Sequence, residues 1–337
     1  MDERKQYKMK ILILGSGSFA GQALFSNLIE SGYEVIGINR STPKSSYYWH
    51  WIKSYRKYID KYWFEINLHK DPDFIIEKIN AFQPSHIIDF MGQGMVAQSW
   101  DDPNLWYETN LARKSYLLES IKNLKSLEKY IRASTPEVYG SSHLKQNEES
   151  HFCPSTPYAV SHSAIDYHLR CLGKNYDFPY IIGRFSNFYG EGQQLYRVIP
   201  KAILSLLNGE IFTIDGDGKS LRSFIHSDDI CSAFKALLFK SQPKKEYNFS
   251  TPEEISIIDL IRKICHLTNK NFEKVVKFGP ERKGKDFIYR LDCTKSLSEL
   301  GWESTISLND GLKKVYEWIE NNNSYFSKLS WDYEHKC

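Results

Sequence analysis

A glycine-rich segment directly follows an aliphatic run near the start of the chain. The run is Ile11-Leu12-Ile13-Leu14, and the segment after it reads Gly15-Ser16-Gly17-Ser18-Phe19-Ala20-Gly21. Aliphatic residues at consecutive positions predict a strand that is covered on both faces. Apolar residues then recur at helical spacing from Leu24 to Ile29, and Gly32 ends the helix. A strand, a tight turn and a helix together predict the first unit of an α/β protein.

Further short apolar runs alternate with helical patterns along the first half of the chain. They predict strands at 34–38, 86–90, 130–134 and 180–184, with a later strand at 247–250 that returns to the same sheet. The expected fold is a doubly wound parallel sheet of the Rossmann type with a smaller mixed α/β C-terminal lobe. The predicted dinucleotide-binding domain spans residues 9–186, with 241–269 returning to it. The lobe takes 187–240 and 270–325.

The glycine-rich turn is the candidate phosphate site. Glycines let the backbone turn sharply and approach a pyrophosphate, while the N–H groups at the helix start hold negative charge. Gly15, Gly17, Ser18, Phe19, Ala20 and Gly21 are therefore predicted to bind the cofactor, although a simple tight turn is the alternative. The second strand ends in Asn39-Arg40-Ser41 rather than in an acidic residue. An arginine beside a small hydroxyl favours NADP over NAD, unless Arg40 is an ordinary surface charge.

Composition excludes several other classes of function. The 337 residues carry a net charge of only +3, with no basic arm or acidic tail, so a nucleic-acid partner is not expected. The polar N-terminus precedes only a short apolar run, which predicts neither a leader nor a membrane span. The six cysteines lack CxxC spacing, which favours reduced thiols, no metal site and a cytoplasmic location. The aromatic-rich stretch 47–64 is expected to form a packed helix and loop, with a ligand platform as the alternative.

Two segments near the middle of the chain carry the residue types of a catalytic site. The first reads Ala133-Ser134-Thr135-Pro136-Glu137-Val138-Tyr139-Gly140, and the second reads Pro157-Tyr158-Ala159-Val160-Ser161-His162. They resemble the Ser/Thr…Tyr-x-x-x-Lys apparatus of extended short-chain dehydrogenases/reductases, and more narrowly the nucleotide-sugar 4,6-dehydratases of the dTDP-glucose and GDP-mannose type. Segments at 184–190, 216–224, 282–290 and 299–302 extend the resemblance over about residues 9–320.

The resemblance implies a role for each matching residue. Tyr158 would take the proton of the sugar 4-hydroxyl, which requires a lowered phenol pKa, and Thr135 would orient the substrate. Glu137 would remove the C5 proton once C4 is a ketone, unless it is a solvent-facing loop carboxylate. Further cofactor contacts would come from Asn67, Leu68, Phe90, Asn110, Ser134, Tyr158 and His162. A nucleotide-diphosphate sugar would contact Ser99, Asn187, Arg197, Arg222 and Arg282.

Three positions depart from the pattern of these relatives. His162 replaces the lysine that lowers the pKa of the tyrosine and holds the nicotinamide ribose. A histidine has an ordinary pKa near 6.5, so it is often uncharged at neutral pH, and slower oxidation is expected. Pro136 replaces an aspartic acid and cannot donate a proton. Ser18 replaces the middle glycine of the turn.

The leading hypothesis is therefore an NDP-hexose 4,6-dehydratase that uses NADP or NAD. A 4-epimerase or 4-dehydrogenase is the second hypothesis, and in it Glu137 would be dispensable. The third is a catalytically silent protein that binds cofactor and sugar nucleotide, in which His162→Lys would restore activity. The resemblance also implies a homodimer packed through helices of the Rossmann domain. The sugar and the nucleotide cannot be identified from these residues.

Overall fold

The computed structural model describes residues 9–41, 62–281, 284 and 287–334. Seven parallel strands in these residues form one sheet. Their bounds are β1 (Lys10–Leu14), β2 (Glu34–Asn39), β3 (Trp63–Glu65), β4 (His86–Asp89), β5 (Lys129–Ser134), β6 (Tyr180–Phe185) and β7 (Lys245–Phe249). The order across the sheet is β3-β2-β1-β4-β5-β6-β7. The order reverses between β1 and β4, which makes their carboxyl ends the switch point where such sheets bind dinucleotides.

Helices cover both faces of the sheet, as the aliphatic runs predict. Their bounds are α1 (Phe19–Glu30), α2 (Pro72–Phe82), α3 (Pro103–Tyr107), α4 (Lys114–Ile121), α5 (Pro157–Tyr176), α6 (Val198–Leu207), α7 (Ser227–Lys240), α8 (Ile257–Leu267), α9 (Phe272–Val275), α10 (Thr294–Leu300) and α11 (Leu308–Phe326). Side chains of β1 alternate between the two faces: Ile11 and Ile13 pack with α1 and α7, while Leu12 and Leu14 pack with α2, α4 and α5. The expected Rossmann-type sheet is confirmed.

The smaller lobe has its own hydrophobic core, built from α6, α8 and α11. Short strand pairs lie outside the main sheet in the described residues. Asn187–Tyr189 pairs with Phe224–His226, Phe212–Asp215 pairs with Val276–Gly279, Leu221–Arg222 pairs with Ile255–Ser256, and Lys145–Gln146 pairs with Arg290–Leu291. The mixture of helices and short strands agrees with the expected α/β lobe.

Two helices pack differently from the predicted domain boundaries. Helix α7 lies within the stretch assigned to the lobe, yet it packs against α1 and the main sheet. Helix α8 belongs to the stretch expected to return to the sheet, yet it packs in the lobe core. Strand β7 does return to the main sheet, beside β6. Each helix packs in the core that buries its apolar face, and the order of the elements along the chain does not show which core that is.

The aromatic-rich stretch gives a partial correction. Most of it, 47–61, lies outside the described residues, but Trp63 and Phe64 form β3 rather than the expected helix or loop. Trp63 is buried and packs edge-on against Phe25 of α1, with 5.5 Å between ring centroids. Across the parts of the chain that the structure describes, no helix combines the length and apolar character needed to cross a membrane.

Candidate active site

The glycine turn lies at the switch point of the sheet and is closely packed. Gly15 follows β1 with φ +78°, and a Cβ there would be 2.9 Å from the backbone carbon of Phe90. A Cβ on Gly21 would be 2.3 Å from the carbonyl oxygen of Gly15. Ser18 is the N-cap of α1, where its Oγ accepts from the backbone N of Gly21 at 3.1 Å. The serine in place of the middle glycine therefore stabilises the start of this helix.

The end of β2 carries an amide where a carboxylate would select NAD. The Asn39 side chain lies against Gly17, because a Cβ on that glycine would be 2.3 Å from Asn39 Nδ2. The same Nδ2 donates to the carbonyl oxygen of Ser41 at 2.5 Å. Asn39, Arg40 and Ser41 are all partly exposed. The space left by the glycines, the helix N-terminus and this uncharged strand end fit a nicotinamide dinucleotide.

Several other predicted cofactor residues use their side chains inside the protein. Asn67 Oδ1 accepts from the backbone N of His69, and Leu68 is buried among aliphatic residues. Ser134 Oγ donates to Asp166 Oδ2 at 2.8 Å. Phe19, Ala20 and the half-buried Phe90 pack in the core between the sheet and α7. Any contact of these residues with a cofactor would therefore come mainly from the backbone or from apolar surface.

The Asn110 side chain links the loop after β4 to helix α5 by hydrogen bonds. It lies in a π-helical segment, Glu108–Arg113, that connects α3 to α4. Its Oδ1 accepts from the backbone N of Gln93 at 2.6 Å, and its Nδ2 donates to Gln93 O and Ser161 Oγ, each at 3.1 Å. These bonds hold the loop after β4 in a fixed position against helix α5. π-Helical turns such as this one often occur at functional sites.

Thr135 and Glu137 form a directly bonded pair after strand β5. Thr135 is the N-cap of a short 3-10 helix, Pro136–Tyr139, and its Oγ1 accepts from the backbone N of Glu137 at 3.3 Å. The same hydroxyl donates to Glu137 Oε2 at 3.0 Å. Pro136 occupies the first helical position, where a missing N–H has no cost. Glu137 is only partly exposed, so it is not a freely solvated loop carboxylate.

Tyr158 lies in the first turn of α5 and reaches this pair. Thr156 caps the helix by accepting from the backbone N of Ala159 at 3.1 Å. Tyr158 shares a side-chain hydrogen bond with Thr135, so three predicted catalytic groups form one cluster. Burial and the charge of Glu137 raise the pKa of Tyr158, while Thr135, Arg197 and Arg132 lower it. The net direction is upward, opposite to the lowered pKa expected from the sequence.

His162 lies one turn after Tyr158, with 4.4 Å between the two ring centroids. Its Nδ1 is 3.0 Å from a terminal guanidinium nitrogen of Arg132. Burial, together with the positive charges of Arg132 and Lys114, holds the pKa of His162 well below its ordinary value. The histidine is therefore neutral, and it does not supply the positive charge of the lysine that it replaces.

A buried network of charged side chains lies beneath His162, and the sequence analysis missed it. Arg132 Nε donates to Asp166 Oδ1 at 2.9 Å, Arg184 donates to Asp166 Oδ2 at 3.0 Å, and Lys114 donates to Asp89 Oδ2 at 2.6 Å. All five side chains are at most 1% exposed. The available signal was an arginine within a predicted strand that is covered on both faces, because a buried charge requires a partner.

The predicted substrate residues lie in different surroundings. Asn187 and Arg222 meet at Tyr289, whose hydroxyl donates to Asn187 Oδ1 at 3.1 Å and whose ring lies 4.7 Å from the Arg222 guanidinium carbon. Arg197 lies close enough to Tyr158 to lower its pKa. Ser99 is fully buried, and its hydroxyl donates to the Val96 carbonyl at 2.6 Å, so its side chain supports a 3-10 turn. Arg282 lies outside the described residues.

The fold and the site define the class of extended short-chain dehydrogenases/reductases. The glycine turn and the Thr135–Glu137–Tyr158 cluster both follow strands that end at the same edge of a doubly wound sheet. The chain belongs to the GDP-mannose 4,6 dehydratase family, whose family model matches residues 12–315. It is thus a member of the nucleotide-sugar 4,6-dehydratase group that its motifs resemble.

Individual relatives agree with this family. A trifunctional UDP-glucose 4,6-dehydratase from Arabidopsis thaliana is 32% identical over 248 residues, which are 72% of this chain but only 37% of the relative. The solved structure of the Bacillus anthracis dTDP-glucose 4,6-dehydratase with NAD matches with a TM-score of 0.82 and 26% identity, over 94% of this chain and 98% of that one. The UDP-glucose 4-epimerase of Thermotoga maritima with UDP-glucose matches with a TM-score of 0.84 and 26% identity, over 93% and 99%.

Proposed function

We propose that this chain is an NDP-hexose 4,6-dehydratase that produces a 4-keto-6-deoxy sugar nucleotide. The observation that carries the proposal is the hydrogen-bonded series Tyr158, Thr135 and Glu137. In this series a phenol and a carboxylate lie on either side of one hydroxyl group, which supports a role for the phenol at the sugar 4-hydroxyl and for the carboxylate at the C5 proton. Two of the three groups can exchange protons with the sugar, as oxidation and elimination each require.

The residues divide the reaction as follows. Tyr158 takes the proton of the 4-hydroxyl, and Thr135 orients that oxygen. A nicotinamide dinucleotide, when bound, would supply reversible hydride transfer with C4 and C6, and its oxidised ring would add a positive charge that favours the tyrosinate. Glu137 then removes the C5 proton, which the C4 ketone has made acidic. Because Pro136 cannot act as an acid, Glu137 also gives its proton to the leaving C6 hydroxyl, and one water is released. C5 then regains a proton from solvent through the ionised Glu137 as C6 receives the hydride, and Tyr158 returns its own proton to solvent.

A 4-epimerase is the second candidate, supported by the equal likeness to the Thermotoga maritima enzyme. Epimerisation needs Tyr158 and Thr135 but no carboxylate at position 137. The purified protein is therefore incubated with a panel of NDP-hexoses, and product masses are followed. We expect one substrate to lose the mass of one water. Glu137→Gln should abolish that loss, whereas Glu149→Gln, at an exposed position, should not. An isomer of unchanged mass would instead identify an epimerase.

We further propose that the cofactor is a nicotinamide dinucleotide, with NADP preferred over NAD. The uncharged Asn39 at the end of β2 and the neighbouring Arg40 support this preference, since a 2′-phosphate needs a basic partner. The Bacillus anthracis relative binds NAD, so both cofactors need to be titrated. Arg40→Ala should lower NADP affinity about tenfold and leave NAD affinity unchanged, since one charge-assisted contact is lost. An equal effect on both cofactors would contradict the preference.

The proposed substrate partner is a nucleotide diphosphate held by Arg222 and Arg197, with Asn187, which contacts Tyr289 as Arg222 does, as a further donor. Guanidinium groups suit this role because they bind phosphate oxygens in pairs. A homodimer in the cytoplasm remains our proposal for the assembly and its location. The homodimer is supported by exposed aromatic side chains on the outer helices, namely Tyr116 on α4 and Tyr167 and Tyr176 on α5.

A further inference from the structure

The hydrogen bond between Arg132 and His162 fixes the chemical state of the histidine. A guanidinium group has N–H donors and no acceptor, so His162 Nδ1 must accept the 3.0 Å bond. A neutral imidazole that accepts at Nδ1 carries its proton at Nε2. The ring therefore presents an N–H donor on the side away from Arg132.

Arg132 is a cation that cannot move or lose its charge. Its side chain is 1% exposed, Nε donates to Asp166 Oδ1 at 2.9 Å, and Nη1 lies 3.8 Å from Asp89 Oδ2. Burial lowers the pKa of the neighbouring Lys114 to about 8, even though Asp89 opposes the shift. An arginine stays protonated under all ordinary conditions. The permanent positive charge beneath His162 is therefore that of Arg132.

We propose that Arg132 is a positioning residue that replaces the missing lysine: it holds His162 as the neutral Nε2–H tautomer and supplies the fixed positive charge from behind the ring. The two functions of one lysine are thus divided between a donor, His162, and a cation, Arg132. This inference rests on the proposed function, in which Tyr158 takes the proton of the 4-hydroxyl.

The charged groups around the histidine agree with this division. Arg132 faces it from β5 and Lys114 from α4, while Asp89 and Asp166 are engaged by these cations rather than by the imidazole. Arg132 also lowers the pKa of Tyr158, and Arg197 acts in the same direction from the start of α6, both against the charge of Glu137.

Because the two functions of the lysine are divided between His162 and Arg132, introducing a lysine at position 162 should slow the reaction rather than restore it. A lysine at position 162 would bring its ammonium group toward Arg132, and like charges in a buried site repel strongly. His162→Lys should therefore slow hydride transfer, although the sequence alone suggests that it would restore activity. The double variant with Arg132→Met removes this repulsion, so that the new ammonium group can take the position that the lysine has in the relatives.

The first test observes the histidine directly in the full-length protein without substrate. Nitrogen NMR on ¹⁵N-histidine-labelled protein, with His162→Asn to assign the signal, should show a neutral Nε2–H ring from about pH 5.5 to 8, a range that spans the ordinary histidine pKa. Protonation near the ordinary pKa, or the Nδ1–H tautomer, would overturn the proposal. This result does not depend on which reaction the protein performs.

The second test measures the first hydride transfer in a single turnover, by the absorbance of reduced nicotinamide. This step is common to dehydration and epimerisation, so failure of the proposed dehydration leaves the test valid. His162→Lys and Arg132→Met should each slow it about tenfold, a change of about 1.4 kcal/mol, and the double variant should recover most of the loss.

Full activity of His162→Lys, or a double variant slower than Arg132→Met alone, would overturn the proposal. A purely structural role for Arg132 predicts the latter result, since the arginine would then be needed whatever residue occupies position 162. If Arg132→Met does not fold, His162→Lys and the nitrogen spectrum decide between the two outcomes.

Discussion

Removal of the charge of Asp166 should destabilise the protein strongly. Asp166 is fully buried and accepts three hydrogen bonds, from Arg132 at 2.9 Å, Ser134 at 2.8 Å and Arg184 at 3.0 Å. In Asp166→Asn, one amide oxygen remains for two guanidinium groups, and the amide N–H₂ group faces a donor. Breaking a buried ion pair by removing one partner costs about 3–5 kcal/mol, a large part of the about 5–15 kcal/mol that stabilises a typical domain.

Urea unfolding of the parent and of Asp166→Asn measures this loss, which in thermal unfolding of a chain of this length amounts to a fall of about 4–7 °C in Tm. Asp332→Asn is the matched control. It removes an ion pair with Lys201 of similar length, 2.8 Å, but the Asp332 side chain is 84% exposed. Its expected effect is below about 1 kcal/mol. A loss of less than about 1 kcal/mol in Asp166→Asn, or equal losses in both variants, would refute the assignment of the network as a coupled buried unit.

Two further predictions concern the cofactor turn and pH. Gly21→Ala should weaken dinucleotide binding about tenfold in calorimetric titration, because its Cβ would lie 2.3 Å from Gly15 O and displace the turn. Gly32 has open space around it, so the control variant Gly32→Ala should lower stability only. Equal cofactor affinities in the two variants would refute the steric argument. Because the pKa of folded His162 is depressed, the unfolded chain alone gains a proton there as pH falls below the ordinary value. The parent should thus lose about 1.4 kcal/mol more than His162→Asn between about pH 7.5 and 5.5, and parallel curves would contradict this.

The sheet could be predicted from the sequence largely because its strands are buried on both faces. Continuous aliphatic runs such as the one in β1 have few alternative structures, and the glycine turn fixes where the first helix begins. Strand β3 was missed because it has three residues, two of them aromatic, at the edge of the sheet. Its pairing with β2 depends on tertiary contacts that no local pattern records.

In the candidate site, too, contacts between distant segments of the chain could not be predicted. Thr135, Glu137 and Tyr158 could be predicted because each lies in a motif, and the structure brings the three together. The role of Arg132 could not, because it depends on His162 approaching from a helix 30 residues further along the chain. The expected lowered pKa of Tyr158 is likewise not found, since burial outweighs the nearby guanidinium groups.

The most direct test of the central claim follows one hydrogen atom through the reaction. An NDP-hexose that the enzyme converts is prepared with deuterium at C4, and the product is examined by mass and by NMR. We expect deuterium to move to C6 within the same sugar, with loss of one water and no net reduction of the cofactor. Deuterium that returns to C4 without loss of water would identify an epimerase, and deuterium retained on reduced cofactor would identify a dehydrogenase; either result would contradict the proposed 4,6-dehydration.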